Sequence, residues 1–223
     1  MKVQYVPKID VEAALDPEGP LWGNVQAETL AMMGTPVGLQ PTDAVRVSWI
    51  GKEIGAVKSV EVAAVHDGQT LAFRLEWEDA TENRAIAETD LFHDAAGVLF
   101  PSVPGAVSMT MGMPGAAVNA WHWRADEDGR GRHLVAEGLG TTREVDVQPV
   151  RGRGVWRDGR WRVVLTRPLK VQTTEPVAQL EPGQTTGFGV AVWEGSHRER
   201  AGIKAFSGDW IELSLANLPT ARR

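Results

Sequence analysis

Apolar residues recur at every second position along much of this chain. Val60, Val62 and Ala64 alternate with polar neighbours, and so do Leu71, Phe73, Leu75 and Trp77. Trp161, Val163 and Leu165, then Phe188, Val190 and Val192, then Ile211, Leu213 and Leu215 repeat the pattern. Side chains of a strand alternate between two faces, so each run predicts a strand with one face in a core. Val45, Val47 and Trp49 follow the same rule and predict one more. His66-Asp67-Gly68 and Arg157-Asp158-Gly159 supply turn residues for hairpin tips between paired runs. Helical signal is thin, confined to residues 11–15, 22–33 and 81–87. Residues 100–115, rich in Pro, Gly, Met and Ser, predict a long irregular connection. So do residues 125–140, where charge and glycine crowd together. Compact β domains seldom keep such loops without a use for them. The expected fold class is all-β: one antiparallel β-sandwich with long loops and a few short helices.

Composition removes several kinds of function. The hydrophobic share is 43% and the charged share 23%, which excludes wholesale disorder. Cysteine is absent, so disulfides, thiolate nucleophiles, iron–sulfur ligation and covalent CxxCH haem attachment are excluded together. A net charge of −6 gives no electrostatic reason to bind nucleic acid. No run of apolar residues is long enough for a membrane span, and the N-terminal stretch lacks the apolar region of a secretory leader. Nine tryptophans in 223 residues imply large apolar contacts.

Candidate chemistry is scattered. His66, His93, His122, His133 and His197 form no zinc spacing. His66 in a turn and His133 in a charged loop read as solvated, and His93 and His122 as structural. Glu76, Glu78 and Asp79 end a strand, where a glycosidase pair or a calcium site competes with a solvated terminus. The RGRG stretch at 151–154 lacks the strand–loop–helix context of a phosphate cradle and reads as a basic loop or partner contact. Met109, Met111 and Met113 alternate, so an extended backbone would aim all three one way. Thioether sulfur lines irregular pockets, and it also ligates soft metals and haem iron. Lys204 lies between Ile203 and Ala205, near Phe206 and Trp210. It is one of six lysines against seventeen arginines. Apolar surroundings push a lysine toward its neutral form, which is a potential base, nucleophile or metal ligand.

Four stretches carry a resemblance. They are LAFRLEWEDATEN (71–83), TDLFHDAAGVLFP (89–101), MGMPGAAVNAWHW (111–123), and GRWRVVLTRPL (159–169) followed by VAVWEGSHRERAGIKAFSGDWIEL (190–213). Together the chain resembles the haem b-binding gamma subunits of the molybdenum enzymes grouped with ethylbenzene dehydrogenase, dimethylsulfide dehydrogenase, chlorate reductase and selenate reductase. The likeness spans residues 42 to 215, with Ala117 standing where the family has a proline.

That resemblance implies an immunoglobulin-like sandwich holding one non-covalent haem b. It implies Met111 and Lys204 as the axial iron ligands, and no catalytic residue. Propionate partners are sought among Arg124, Arg151, Arg153 and Arg198. Residues 1–41 are expected as an N-terminal extension contacting a partner, within a single domain of 1–223. The expected partners are an iron–sulfur beta subunit, a molybdopterin alpha subunit and a soluble cytochrome c or similar carrier. The implied compartment is the periplasm. The alternative is a carbohydrate- or small-ligand-binding sandwich without haem; a third reading is a structural subunit that has lost its haem.

Overall fold

A computed structural model describes residues 1–86 and 90–219. Its strands, in chain order, are β1 (Lys2–Tyr5), β2 (Glu28–Ala31), β3 (Met33–Gly34), β4 (Ser59–His66), β5 (Thr70–Glu78), β6 (Ala95–Pro101) and β7 (Val118–Arg124). They continue with β8 (Gly131–Ala136), β9 (Arg143–Glu144), β10 (Arg151–Arg157), β11 (Arg160–Pro168), β12 (Thr185–Trp193), β13 (Ala205–Phe206) and β14 (Ile211–Leu215). Two short helices, α1 (Val11–Ala14) and α2 (Asp43–Ser48), accompany them.

Hydrogen bonding runs in the order β10-β11-β5-β4-β1-β14-β12-β6-β7-β8-β9, with β2 on β4 and β13 joining β12 to β3. The two halves of this path face one another. Phe73 of β5 lies 5.9 Å from the rings of both Phe100 (β6) and Trp121 (β7), and Trp161 of β11 lies 5.0 Å from Trp123 (β7). The period-two runs therefore meet as the inner faces of a sandwich. Removing each such ring from water contributes on the order of 2–3 kcal/mol. Pairing is antiparallel except at β1, which runs parallel to both β4 and β14 and bridges the halves. Residues 1–41 thus contribute three strands, β1, β2 and β3, to the sheet. They also pack Leu15 and Trp22 against Ala63, Val65, Ala72 and Val164.

Both predicted hairpins form, β4–β5 and β10–β11. RGRG, expected as a loop, is part of β10, and its glycines make room for a ring. A Cβ on Gly154 would stand 2.3 Å from Trp123 Cζ2, and one on Gly152 3.0 Å from its Cδ1. Other expectations give way too. Residues 45–49 form most of α2, because Thr42 caps it by accepting from Val45 N and Asp43 sits in its first turn. Only Trp22–Asn24 of the stretch 22–33 is helical, as 3-10 turn, before β2. Residues 81–86 are irregular, and residue 87 lies outside the described residues. The loop expected at 125–140 contains β8.

Two histidines expected in solvent are fully buried. His66 closes β4 against the Tyr5 ring, and burial pulls its pKa down. His133 sits on β8, with Nδ1 3.0 Å from Val147 O and Nε2 3.3 Å from Asn119 Oδ1. That arrangement serves Arg167, a cation 1% exposed. Arg167 donates to Asn119 Oδ1 and to the carbonyls of Leu169 and Ala178, and lies over the Trp121 ring. Sequence alternation finds buried apolar positions and has no signal for a polar group satisfied inside.

Candidate functional site

Each strand of the sandwich has a second face. On β6, β7 and β12 the core takes Val98, Phe100, Trp121, Trp123, Val190 and Val192. The opposite face carries mostly small side chains in cross-strand rows: Gly189–Leu99–Ala120, Ala191–Gly97–His122 and Trp193–Ala95–Arg124. Gly189, Ala191, Gly97, Ala95 and Ala120 keep parts of this three-stranded floor low, while Leu99, His122, Trp193 and Arg124 rise from it. A cavity of about 540 Å³ opens on it, within the range of cofactor pockets. Its walls are the long connection after β6, the turn leading into β13 and residues 35–41. The irregular stretch 102–117 therefore does have a use.

Met111 enters from that connection. Its φ is +57°, and Gly112 follows at +83°. Two left-handed residues break the alternation assumed for 109–113. Met109 also lines the cavity, whereas Met113 lies outside its lining and is half-exposed. A left-handed non-glycine costs roughly 1–2 kcal/mol and needs support from its surroundings. Here Met111 N donates to Ser108 O (3.0 Å), Gly112 N to Val107 O (2.8 Å) and Gly138 N to Met111 O (2.9 Å). A Cβ at Gly112 would stand 2.7 Å from Ala116 O and 2.8 Å from Ala136 O. The backbone is clamped where the thioether is aimed.

Lys204 enters from the opposite loop, immediately before β13. Its carbonyl accepts from Thr35 N at 3.0 Å, and β13 is pinned between β12 and β3. Nζ lies 5.2 Å from the Trp193 ring centroid and 4.0 Å from Met111 Sδ. Among the described residues no carboxylate lies within ion-pair distance of it. Burial alone brings its pKa down to about 8. Enclosure without a counter-ion eases deprotonation to the neutral amine, which carries a free lone pair. Met111 and Lys204 thus bring a soft sulfur and an amine nitrogen, the donor types of a soft metal site, into contact inside one cavity.

The remaining histidines divide. His122 lies on the floor with an unpartnered Nδ1, its ring edge-on to Trp193. Burial, reinforced by Arg132 and Arg124, pulls its pKa down to about 3, so it is neutral. His93 also lines the cavity, 3.7 Å from Asp126, and burial pulls its pKa down. His197 is exposed and away from the cavity.

Of the four arginines named from sequence, only Arg124 lines the cavity. Arg151 pairs with Glu12 and Arg198 with Asp90. Arg132, Arg143 and Arg200, which the sequence did not single out, complete the basic rim. Arg124, Arg132 and Arg143 are each held by carboxylates. Arg200 lies over the Phe92 ring and has no carboxylate partner among the described residues. Glu199 was missed as well. Buried at 1% exposure, it accepts from Gly55 N and Ala56 N and fixes the loop that carries Lys204.

The ethylbenzene dehydrogenase family model matches residues 19–148 and 140–205. Chlorate reductase subunit gamma of Ideonella dechloratans is 41% identical over 160 residues, covering 71% of this chain and 65% of that protein. A Haloferax mediterranei protein named for a respiratory nitrate reductase heme subunit, ORF7, is 30% identical over 219 residues, covering 95% of this chain and 74% of that one. Dimethylsulfide dehydrogenase subunit gamma of Rhodovulum sulfidophilum is 28% identical, with coverages of 88% and 73%. The chain thus spans roughly two thirds to three quarters of the length of these relatives. Among solved structures, a family 9 carbohydrate binding module of Caldicellulosiruptor kristjanssonii aligns with a TM-score of 0.53 at 14% identity, covering 100% of this chain and 98% of that one. At that identity the likeness speaks for the β-sandwich fold alone. No helix among the described residues is long and apolar enough to cross a membrane.

Proposed function

Since the chain belongs to the ethylbenzene dehydrogenase family, we propose that it is a non-catalytic electron-transfer subunit of a molybdenum oxidoreductase, holding one non-covalent haem b between Met111 and Lys204. The observation that carries this reading is the pairing of a thioether and a buried amine without a carboxylate partner, 4.0 Å apart in one cavity. Bound there, the haem supplies a one-electron Fe(III)/Fe(II) couple.

Each residue has a part. Met111 offers a soft sulfur, which favours ferrous iron and raises the potential. Lys204 offers its lone pair, and burial has already removed much of the cost of deprotonation. Met111 and Lys204 would hold the iron between them, and the bound group would supply electron relay rather than substrate chemistry. Arg200, free of carboxylates and placed at the rim, is the best-suited propionate partner. The small side chains of the floor admit a flat apolar ring and exclude water from it.

Electrons would pass between the iron–sulfur beta subunit, itself served by a molybdopterin alpha subunit, and a soluble carrier such as cytochrome c in the periplasm. Relatives named for a reductase and for a dehydrogenase both occur, so the catalytic partner sets the direction of flow. The sugar-binding alternative has less support. Every tryptophan of the chain is buried or half-buried, which leaves no exposed stacking platform.

The test is haem loading. The full chain, titrated with haemin and desalted, is expected to retain one haem, released intact into acidified acetone and identified as b-type by its pyridine haemochrome. A chain that stays colourless after this treatment would contradict the proposal.

A further inference from the structure

A second site lies beside the cavity floor, where β5 ends, β6 begins and β12 ends. Asp79, Asp94 and Glu194 each offer a carboxylate oxygen within 4.8 Å of the others'. All three are more than nine-tenths buried. Among the described residues, no lysine or arginine pairs with any of them, and Glu194 meets only His197 at 3.9 Å. Asp79 Oδ2 is buried and completes no hydrogen bond of good geometry; the Trp77 indole N–H, also without a partner, lies near enough to lower the Asp79 pKa. Thr81 Oγ1 stands 3.4 Å from both Asp79 Oδ1 and Glu194 Oε1, and 2.9 Å from Asn83 Oδ1.

We propose that this cluster is a calcium site. Three carboxylates enclosed together cannot all be ionised without a compensating cation. The donors are all oxygen: three carboxylates, a hydroxyl and an amide carbonyl, the hard set that selects calcium or magnesium. Calcium takes roughly six to eight oxygen ligands in flexible geometry, which a cluster of several carboxylates suits, whereas magnesium demands a near-ideal octahedron and keeps its waters. The scaffold fixes the donors in advance. Asp94 accepts from Asn83 N, Gly195 N and Trp161 Nε1, and Glu194 accepts from Ser196 N and His197 N. Asp94 directly precedes Ala95, and Glu194 directly follows Trp193. The ion would tie the ends of β6 and β12, two strands of the cavity floor, to the end of β5 in the facing half. The site does not depend on the haem reading.

The full chain, stripped with EDTA, is titrated with CaCl₂ alone by calorimetry and melted with and without the ion. One saturable site and a rise in Tm at saturation are expected, with MgCl₂ giving a weaker response. Asp79→Asn keeps the Oδ1 acceptor and should bind calcium roughly tenfold or more weakly. Its metal-free Tm should equal or exceed that of the parent, because a buried charge is gone. Absence of both heat and Tm response in the parent overturns the proposal whether or not the variant folds. So does a variant that binds calcium as tightly as the parent.

Discussion

Lys204 Nζ and Met111 Sδ stand 4.0 Å apart although 93 residues separate them in the chain. They come from different loops over the outer face of the β12–β6–β7 sheet. The backbone at each is held by hydrogen bonds, so the fold brings both side chains to the same cavity.

The clamp under Met111 predicts a sharp glycine dependence. Gly112→Ala meets two carbonyls below 3.0 Å, whereas Gly115→Ala shares a positive φ of +78° but meets nothing within 4 Å. Both carry conformational strain of about 1 kcal/mol; only the first must shift the turn. Gly112→Ala is expected to lower denaturant stability by an additional ~1–3 kcal/mol and to weaken haem retention. Equal losses in the two variants would count against the clamp.

Lys204 predicts a pH dependence of known sign. Its folded pKa of about 8 lies below the ordinary lysine value near 10.4. Between those values the unfolded chain binds more protons, so the haem-free protein should gain stability as pH rises through that window. Lys204→Met should lose that gain. In the haem-loaded protein, protons compete for the amine, so acidification should convert a low-spin spectrum to one with a weaker ligand. Urea melts at pH 7.5 and 9.5 and an optical acid titration check the two signs.

Arg200 predicts a selective loss of cofactor affinity. Arg200→Gln should raise the haem off-rate to apomyoglobin several-fold, while Arg153→Gln, away from the cavity, should leave it unchanged. Matching off-rates in both variants would remove Arg200 from its assigned role.

The buried carboxylates predict the opposite pH trend from Lys204. Burial pushes Asp79 up to about 6 and Asp94 up to about 7. A raised carboxylate pKa means that the folded state binds more protons. The calcium-free protein should therefore lose stability as pH rises from about 4 to 7. Saturating calcium should flatten that slope in thermal melts; a slope unaffected by calcium would separate the carboxylates from any ion.

The sandwich was legible because a half-buried strand writes a period of two, and β4, β5, β11, β12 and β14 all carry it cleanly. The same period misled at 45–49, where Thr42 and Asp43 started a helix on an exposed surface with no core to decide the matter. Met111 and Lys204 were singled out by their residue types and by a family likeness. Their meeting depends on two left-handed residues and a strand pinned 90 residues away, which no local pattern encodes. The rim arginines and the acidic cluster were read less well. Asp79, Asp94 and Glu194 are brought together by topology alone, and Glu76, beside Asp79 in sequence, is instead neutralised by Arg74, Arg160 and Arg162.

The most direct measurement is the optical and EPR spectrum, with the midpoint potential, of haem-loaded parent, Met111→Ala and Lys204→Ala, with His122→Ala beside them. The parent and His122→Ala should be six-coordinate and low-spin at neutral pH. Met111→Ala should lose that signature and shift to lower potential, and Lys204→Ala should lose it as well. Met111→Ala and Lys204→Ala proteins that keep the parent's spectrum and potential would show that iron is held by other residues.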